Sequence, residues 1–360
     1  MDKLDESRER TRELLINHYS AYPKIGISDV FKFLHQSALG CGHLVTSMSS
    51  ALERIEREYA QVTESVPKAE PLDGDYFRVH LSCLKNGLSA RTLARLFYLS
   101  AVPEYEGKTR LREKLEVMRE LISEGTLPFD THSFDSELSV WSDADYPPIH
   151  HSDAFRSEYR PAYRVIAKRY ADYLQLFTKI DTLLANSDVT VAIEGGSASG
   201  KTTLSDILRE VYDCNIFHMD DFFLRPEQRT EERLREVGGN IDRERFSQEV
   251  LTSLKCREVV RYRKFDCRAQ ALGEEVTAPK KQLNIVEGVY STHPAFGRYF
   301  DLSVFLDIDA EYQKKRIIER NSHYFAERAL HEWIPMENEY FEKAEIKKRS
   351  DLIITILERG

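Results

Sequence analysis

Apolar residues recur at spacings of three and four through SRERTRELLINHY, SDVFKFLHQSAL, SARTLARLFYLSA and TRLREKLEVMRELI, all in the first half of the chain. That period places them on one stripe of a helix. Turn-formers separate the runs: Pro23 and Gly26, Pro103 and Gly107, then Gly125 and Pro128. The stretch from Phe129 to His151 shows no period and reads as a long connection. Pro161 suits a first helical turn. After it Tyr163, Ile166, Tyr170, Tyr173, Phe177, Ile180 and Leu184 alternate gaps of three and four, which predicts one long helix over 161–184. Its stripe would serve either as a core seam or as the seam of a homodimer. Asn186-Ser187-Asp188 breaks the pattern, so residues 1–186 are expected to form a separate all-α domain.

Beyond that break the texture changes. The short β-rich runs VTVAI, NIFHM, LNIVE, LSVFLDI and LIITI alternate with helix-length segments. Strands this apolar, spaced in this way, belong to a parallel sheet covered by helices on both faces. Residues 187–360 therefore read as an α/β domain. No internal repeat or low-complexity tract is present.

Composition narrows the function. A chain of 360 residues with 41% hydrophobic content has enough for two packed cores. A net charge of −9, without a basic run to track phosphates, argues against a nucleic-acid partner. The charged start MDKLDESRERTRELL and the lack of a long apolar stretch argue against a membrane partner and predict a soluble, cytoplasmic protein. Cys41, Cys83, Cys214, Cys256 and Cys267 are scattered and odd in number, so they read as thiols rather than a disulfide frame or a zinc site.

The chemistry starts where VTVAI runs into GGSASGKTT, which fits G-x-x-x-x-G-K-[ST] between a strand and the helical LSDILREVY. Gly195, Gly196, Ser197, Ala198, Ser199, Gly200, Lys201, Thr202 and Thr203 form the candidate nucleotide site. Glycines let backbone N–H groups wrap a phosphate, and the helix N-terminus adds its positive end. Lys201 would reach the β/γ oxygens of ATP, and the Thr202 hydroxyl would ligate Mg²⁺. Downstream, FHMDDFF sets two carboxylates at a strand end and IVEG sets Glu287 at another, with Gly288 permitting a turn directly after it. Ligands of open α/β sheets bind at that edge. A carboxylate at the end of the strand next to the P-loop strand could take the proton of an acceptor hydroxyl. Asp220 is the candidate base, on the expectation that its strand is that neighbour. Glu287, Asp220 and Thr202 are the candidate metal residues, with Asp221 a further carboxylate near them. Phe222 and Phe223 would wall out water. The alternative role for Asp220 and Asp221 is capping of a helix.

These motifs, with YFDLSVFLDIDAEYQKKRIIERN, together resemble the uridine kinase and phosphoribulokinase group of P-loop kinases over residues 189–356. The resemblance implies lid arginines, here Arg316 and Arg320, four apart and so on one helix face, with Asn321 in place of the family's Asp. It implies substrate residues Asp221, Phe222, Asp242, Tyr262, Asp266 and Arg268. Asn240-Ile241-Asp242-Arg243-Glu244 keeps the Asp of the family's N-F-D-H-P but not its His or Pro, and Phe265-Asp266-Cys267-Arg268-Ala269-Gln270 lacks the Tyr and His of Y-D-F-x-x-H. The implied activity is transfer of the ATP γ-phosphate to a hydroxyl of a small molecule other than a pyrimidine nucleoside. A regulatory NTPase switch with the first half as effector, or a bifunctional protein, are the rival readings. In HEWIPMENEYFEKAEIKKRSDLIITI, which resembles the tail of uridine kinase-like proteins, Trp333 and Tyr340 are expected in the core.

The first half resembles no known domain. It carries polar residues in apolar company: His35-Gln36, Gly40-Cys41-Gly42-His43, Arg78 with His80, and His150-His151-Ser152 before Tyr159, Tyr163 and Arg164. They read as a ligand pocket or as ordinary buried polar groups. A metal site would need three or four of them to converge.

Overall fold

The computed structural model describes residues 3–42, 45, 47–63, 69–73, 75–101, 106–320 and 322–358, so His43, Pro103 and Asn321 lie outside the described residues. The chain divides into two compact units, residues 1–181 and 182–360.

Unit 1 is mostly helical, but it is not all-α. Strands β1 (Ala69–Pro71), β2 (Tyr76–His80) and β3 (Tyr163–Ala167) form an antiparallel sheet in the order β1-β2-β3. The long helix expected over 161–184 is instead β3, a short turn Lys168–Ala171 and a helix Leu174–Leu184. Arg160 adopts a left-handed conformation at φ 42°, and β2, far away in sequence, supplies the hydrogen-bonding edge on which Tyr163 pairs with His80. Arg164, Val165 and Ile166 are all buried, so β3 lacks the alternation by which a half-exposed strand shows itself. The unpatterned stretch after Phe129 also proves structured. Helix Thr131–Asp143 starts at Asp130, whose carboxylate accepts from the Ser133 backbone N–H at 2.8 Å. It buries Phe134 and Trp141, each contributing about 2–3 kcal/mol of apolar burial.

Unit 2 contains a five-stranded parallel sheet in the order β10-β9-β4-β8-β5. The strands are β4 (Val189–Gly195), β5 (Cys214–His218), β8 (Leu283–Glu287), β9 (Leu302–Ile308) and β10 (Leu352–Ile356). All five apolar runs of the sequence are therefore strands. β8 lies between β4 and β5, so Glu287 and not Asp220 terminates the neighbour of the P-loop strand, which corrects the expected adjacency. A hairpin, β6 (Val260–Asp266) and β7 (Ala271–Ala278), stands apart from the sheet. Its buried Val260 and Tyr262 alternate with exposed Arg261 and Arg263, the half-buried strand pattern. Phe217, Phe222, Phe246, Tyr262 and Tyr340 pack into one core beside the hairpin. Among the described residues, no helix is long and apolar enough to cross a membrane.

Candidate active site

The loop after β4 is shaped by its backbone. Gly195 has φ +145°, and a Cβ there would lie 2.8 Å from the Leu306 carbonyl oxygen of β9, so only glycine lets the chain turn out between the strands. Ala198 and Gly200 are left-handed at φ 60° and 101°. A left-handed alanine costs about 1–2 kcal/mol, and such curls gather successive N–H groups around an anion. Helix Lys201–Val211 follows at once, and its first-turn N–H groups have no acceptor within the helix. Lys201 Nζ donates to the Gly196 carbonyl at 2.9 Å, folded across the loop. The Ser199 hydroxyl is buried with no hydrogen-bond partner.

Strand register builds the next layer. Ile193, Glu287 and His218 are aligned across β4, β8 and β5. Glu287 Oε1 accepts from the Thr202 hydroxyl at 3.3 Å and meets His218 Nδ1 at 2.5 Å. That bond raises the His218 imidazole above its ordinary value, against the opposing effect of burial. Asp220 sits two residues past β5 in the short turn Met219–Phe222. Gly288 allows this turn to approach, because a Cβ on it would lie 2.7 Å from Met219 Cβ. Asp220 keeps an accessible surface, yet the surrounding protein raises its carboxyl, with Lys201 pulling the other way and Glu287 adding to the rise.

Behind the loop lies a layer that sequence reasoning missed. Glu194 is fully buried, on the opposite strand face from Ile193. Its carboxylate accepts from the backbone N–H groups of Gly195, Tyr290 and Thr292 at 3.1–3.2 Å, and from the hydroxyls of Thr292 and Tyr340 at 3.1 Å each. Burial nonetheless pushes its carboxyl up to about 7. Glu337 accepts from the Ser197 N–H at 2.8 Å and from its hydroxyl at 2.5 Å, while Gln313 Nε2 donates to the Ser197 carbonyl at 2.8 Å. The available signal was a lone charge near the end of the apolar run VTVAIEG. Tyr340 is fully buried, whereas Trp333, expected beside it in the core, is 37% exposed.

The residues named for the substrate do not all gather. Asp221 is half-buried, and its Oδ2 accepts from the Tyr262 hydroxyl at 3.2 Å and lies 3.5 Å from Lys264 Nζ. Phe222 is fully buried against Phe246 and Tyr262, so it is core and not a wall facing substrate. Asp242 is also buried; it caps Arg243–Phe246 through the Arg245 N–H at 3.1 Å and accepts from Gln228 Nε2 at 3.0 Å. Asp266 and Arg268 are exposed in the β6–β7 turn, where Asp266 accepts from the Arg268 and Ala269 N–H groups. Arg316 is half-buried on helix Ala310–Arg320, with Nη1 3.9 Å from the position of a Cβ on Gly200. Arg320 is exposed at the end of that helix.

A parallel sheet whose central strand runs through G-x-x-x-x-G-K-[ST] into a helix is the strand–loop–helix arrangement of a P-loop. No protein-family profile matches the chain. No curated protein matches it either. Among solved structures it is similar to a possible uridine kinase from Bacillus stearothermophilus, at 24% identity and TM-score 0.36, over 50% of this chain and 99% of that one. A candidate fructose transport system kinase from Silicibacter sp. TM1040 matches at 23% identity and TM-score 0.38, over 47% and 90%. A shikimate kinase from Bacteroides thetaiotaomicron matches at 16% and 0.23, over 46% and 84%. Likenesses this weak leave the chemistry to be read from this chain's own residues.

Proposed function

We propose that residues 182–360 form an ATP-dependent phosphotransferase that moves the γ-phosphate to a hydroxyl of a small metabolite other than a pyrimidine nucleoside. The observation that carries this reading is the gathering at one sheet edge of the P-loop Lys201, folded over its loop, the Thr202 hydroxyl bonded to Glu287, and Asp220 two residues past β5, within the field of both Lys201 and Glu287. A nucleoside triphosphate fits the loop, where curled backbone, helix N-terminus and the orphaned Ser199 hydroxyl offer donors to a phosphate chain. Among the described residues, no three His, Cys, Asp or Glu side chains converge to hold a metal alone. Mg²⁺ would instead be held by the Thr202 hydroxyl and phosphate oxygens, with Glu287 reaching its waters, and would supply charge neutralisation at the β/γ oxygens.

The chain's own residues then divide the work. Lys201 leaves the Gly196 carbonyl for a phosphate oxygen. Arg316 lies beside the loop at Gly200, where a transferring phosphoryl group would carry charge. Asp220 takes the acceptor's hydroxyl proton. His218 orients Glu287 through their mutual contact.

The test is ADP release by the full chain with Mg²⁺-ATP across a panel of sugars, vitamins, nucleosides and hydroxy amino acids. Asp220→Asn should retain ATP binding and lose about 10²–10⁴-fold in turnover with the responsive acceptor. Near-wild-type turnover would remove Asp220 from the role of base. ADP release indifferent to every acceptor would favour an NTPase over a metabolite kinase.

A further inference from the structure

Unit 1 contains a cavity of about 520 Å³ formed entirely by its own residues, within the size range of small-molecule sites. Among its described lining, Lys32, Arg54, Arg156, Arg160 and Arg164 face a single carboxylate, Glu58. This cationic surplus is local, because the chain as a whole carries −9. Arg54 and Arg160 have no ion-pair partner among the described residues. Arg164 is 8% exposed; its Nη1 donates to Glu58 at 2.7 Å and to the Tyr163 carbonyl at 2.9 Å, while its Nη2 is buried with no hydrogen-bond partner. A buried guanidinium nitrogen left unpaired is costly unless an acceptor arrives.

The cavity wall is pre-organised. Gln36 Oε1 accepts from Arg78 Nε at 3.0 Å and Nη2 at 2.8 Å, and Arg78 is held between the rings of Phe33 and Tyr163. The Tyr163 hydroxyl meets His151 Nε2 at 2.6 Å, and His151 Nδ1 lies 3.3 Å from buried Asp29. Lys32 Nζ donates to the Ile149 carbonyl at 2.8 Å, and burial, with Arg78 and Arg156 nearby and Asp29 opposing, pulls its ammonium down to about 8. Phe97, Tyr159 and Tyr163 add ring surface to the lining.

We propose that this cavity is a second ligand site, separate from the P-loop, that binds a small organic anion bearing a phosphate or carboxylate group through Arg164 and the surrounding cations. Phosphate and carboxylate both match the guanidinium fork.

Calorimetric titration of the full chain with inorganic phosphate, and in parallel with malonate, tests this. A Lys201→Ala background silences the P-loop. Binding at one site per chain should persist in that background, weaken with salt, and fall at least tenfold in Arg164→Gln. Arg156→Ala, an exposed position outside the buried network, should weaken it severalfold and stands in if Arg164→Gln fails to fold. Both variants should bind ATP like the parent when Lys201 is intact. Response to phosphate alone, malonate alone or both identifies the anionic group. If neither titrant binds in the Lys201→Ala protein, or if binding is indifferent to both arginine variants, the proposal is overturned.

Discussion

Replacing Glu194 by Gln should change how stability responds to pH. The carboxyl titrates at about 7 in the folded protein against an ordinary 4.5. The folded state therefore holds a proton that the unfolded chain releases. The stability from this proton is fully present below about 4.5 and is lost as pH rises through 7. About 2.5 pH units at 1.36 kcal/mol per unit is about 3 kcal/mol for this fully buried group. Glutamine is a neutral isostere, so the stability of Glu194→Gln relative to wild type should rise by up to about 3 kcal/mol between pH 5 and pH 8. Asp220, Glu337 and His218 titrate in both proteins, so the difference isolates position 194. The assay is urea unfolding followed by ¹⁹F resonances of 5-fluorotryptophan, because Trp141 lies in unit 1 and Trp333 in unit 2. A wild-type-to-variant difference that stays flat from pH 5 to pH 8 in the Trp333 signal would refute the reasoning.

Three further outcomes are expected. Tyr340→Phe removes a hydroxyl donor from the buried Glu194 carboxyl and should lower the melting temperature of unit 2 by roughly 3–10 °C, read by the same ¹⁹F signal. Gly40→Ala should destabilise unit 1 by about 1–3 kcal/mol, because φ is +63° and a Cβ would lie 2.5 Å from the Tyr76 ring; urea unfolding followed through Trp141 checks it. Ser152→Ala deletes both the cap of helix Asp153–Tyr159 and a 2.7 Å hydrogen bond to Asp29, and should cost about 1–2 kcal/mol by the same Trp141 measurement. It should also raise the Asp29 carboxyl from about 2, whose stabilisation is present above its ordinary 3.8 and is lost as pH falls through 2, so the variant should lose stability at a higher pH on acid titration.

The G-x-x-x-x-G-K-[ST] loop was legible because its pattern is local: nine consecutive residues carry the glycines, lysine and hydroxyls, and the flanking strand and helix are contiguous with them. The strands β4, β8 and β9 were legible for a related reason, since burial on both faces leaves each as an apolar run, and the edge strands β5 and β10 show the same apolar texture although Ile353 of β10 is exposed. The same property hid β3, whose run of buried residues fits a helix seam equally well until β2 is placed beside it. Phe222 and Asp242 were misjudged because burial against Phe246, Tyr262 and Gln228 is a property of the packed chain and of no short motif.

The sequence by itself determined that this protein has a helix-rich first half, an α/β second half and a G-x-x-x-x-G-K-[ST] loop within Gly195–Thr203 between a strand and a helix. Period, loop chemistry and helix start are all set within a few residues of one another. The tertiary structure decided the strand order that places Glu287, rather than Asp220, beside the P-loop strand. It also decided the approach of Tyr340 and Glu337 to the loop from nearly the other end of the chain, and the gathering of Lys32, Arg54 and Arg164 around one cavity. Contacts between residues far apart in sequence exist only once the intervening chain has closed, so no local pattern records them.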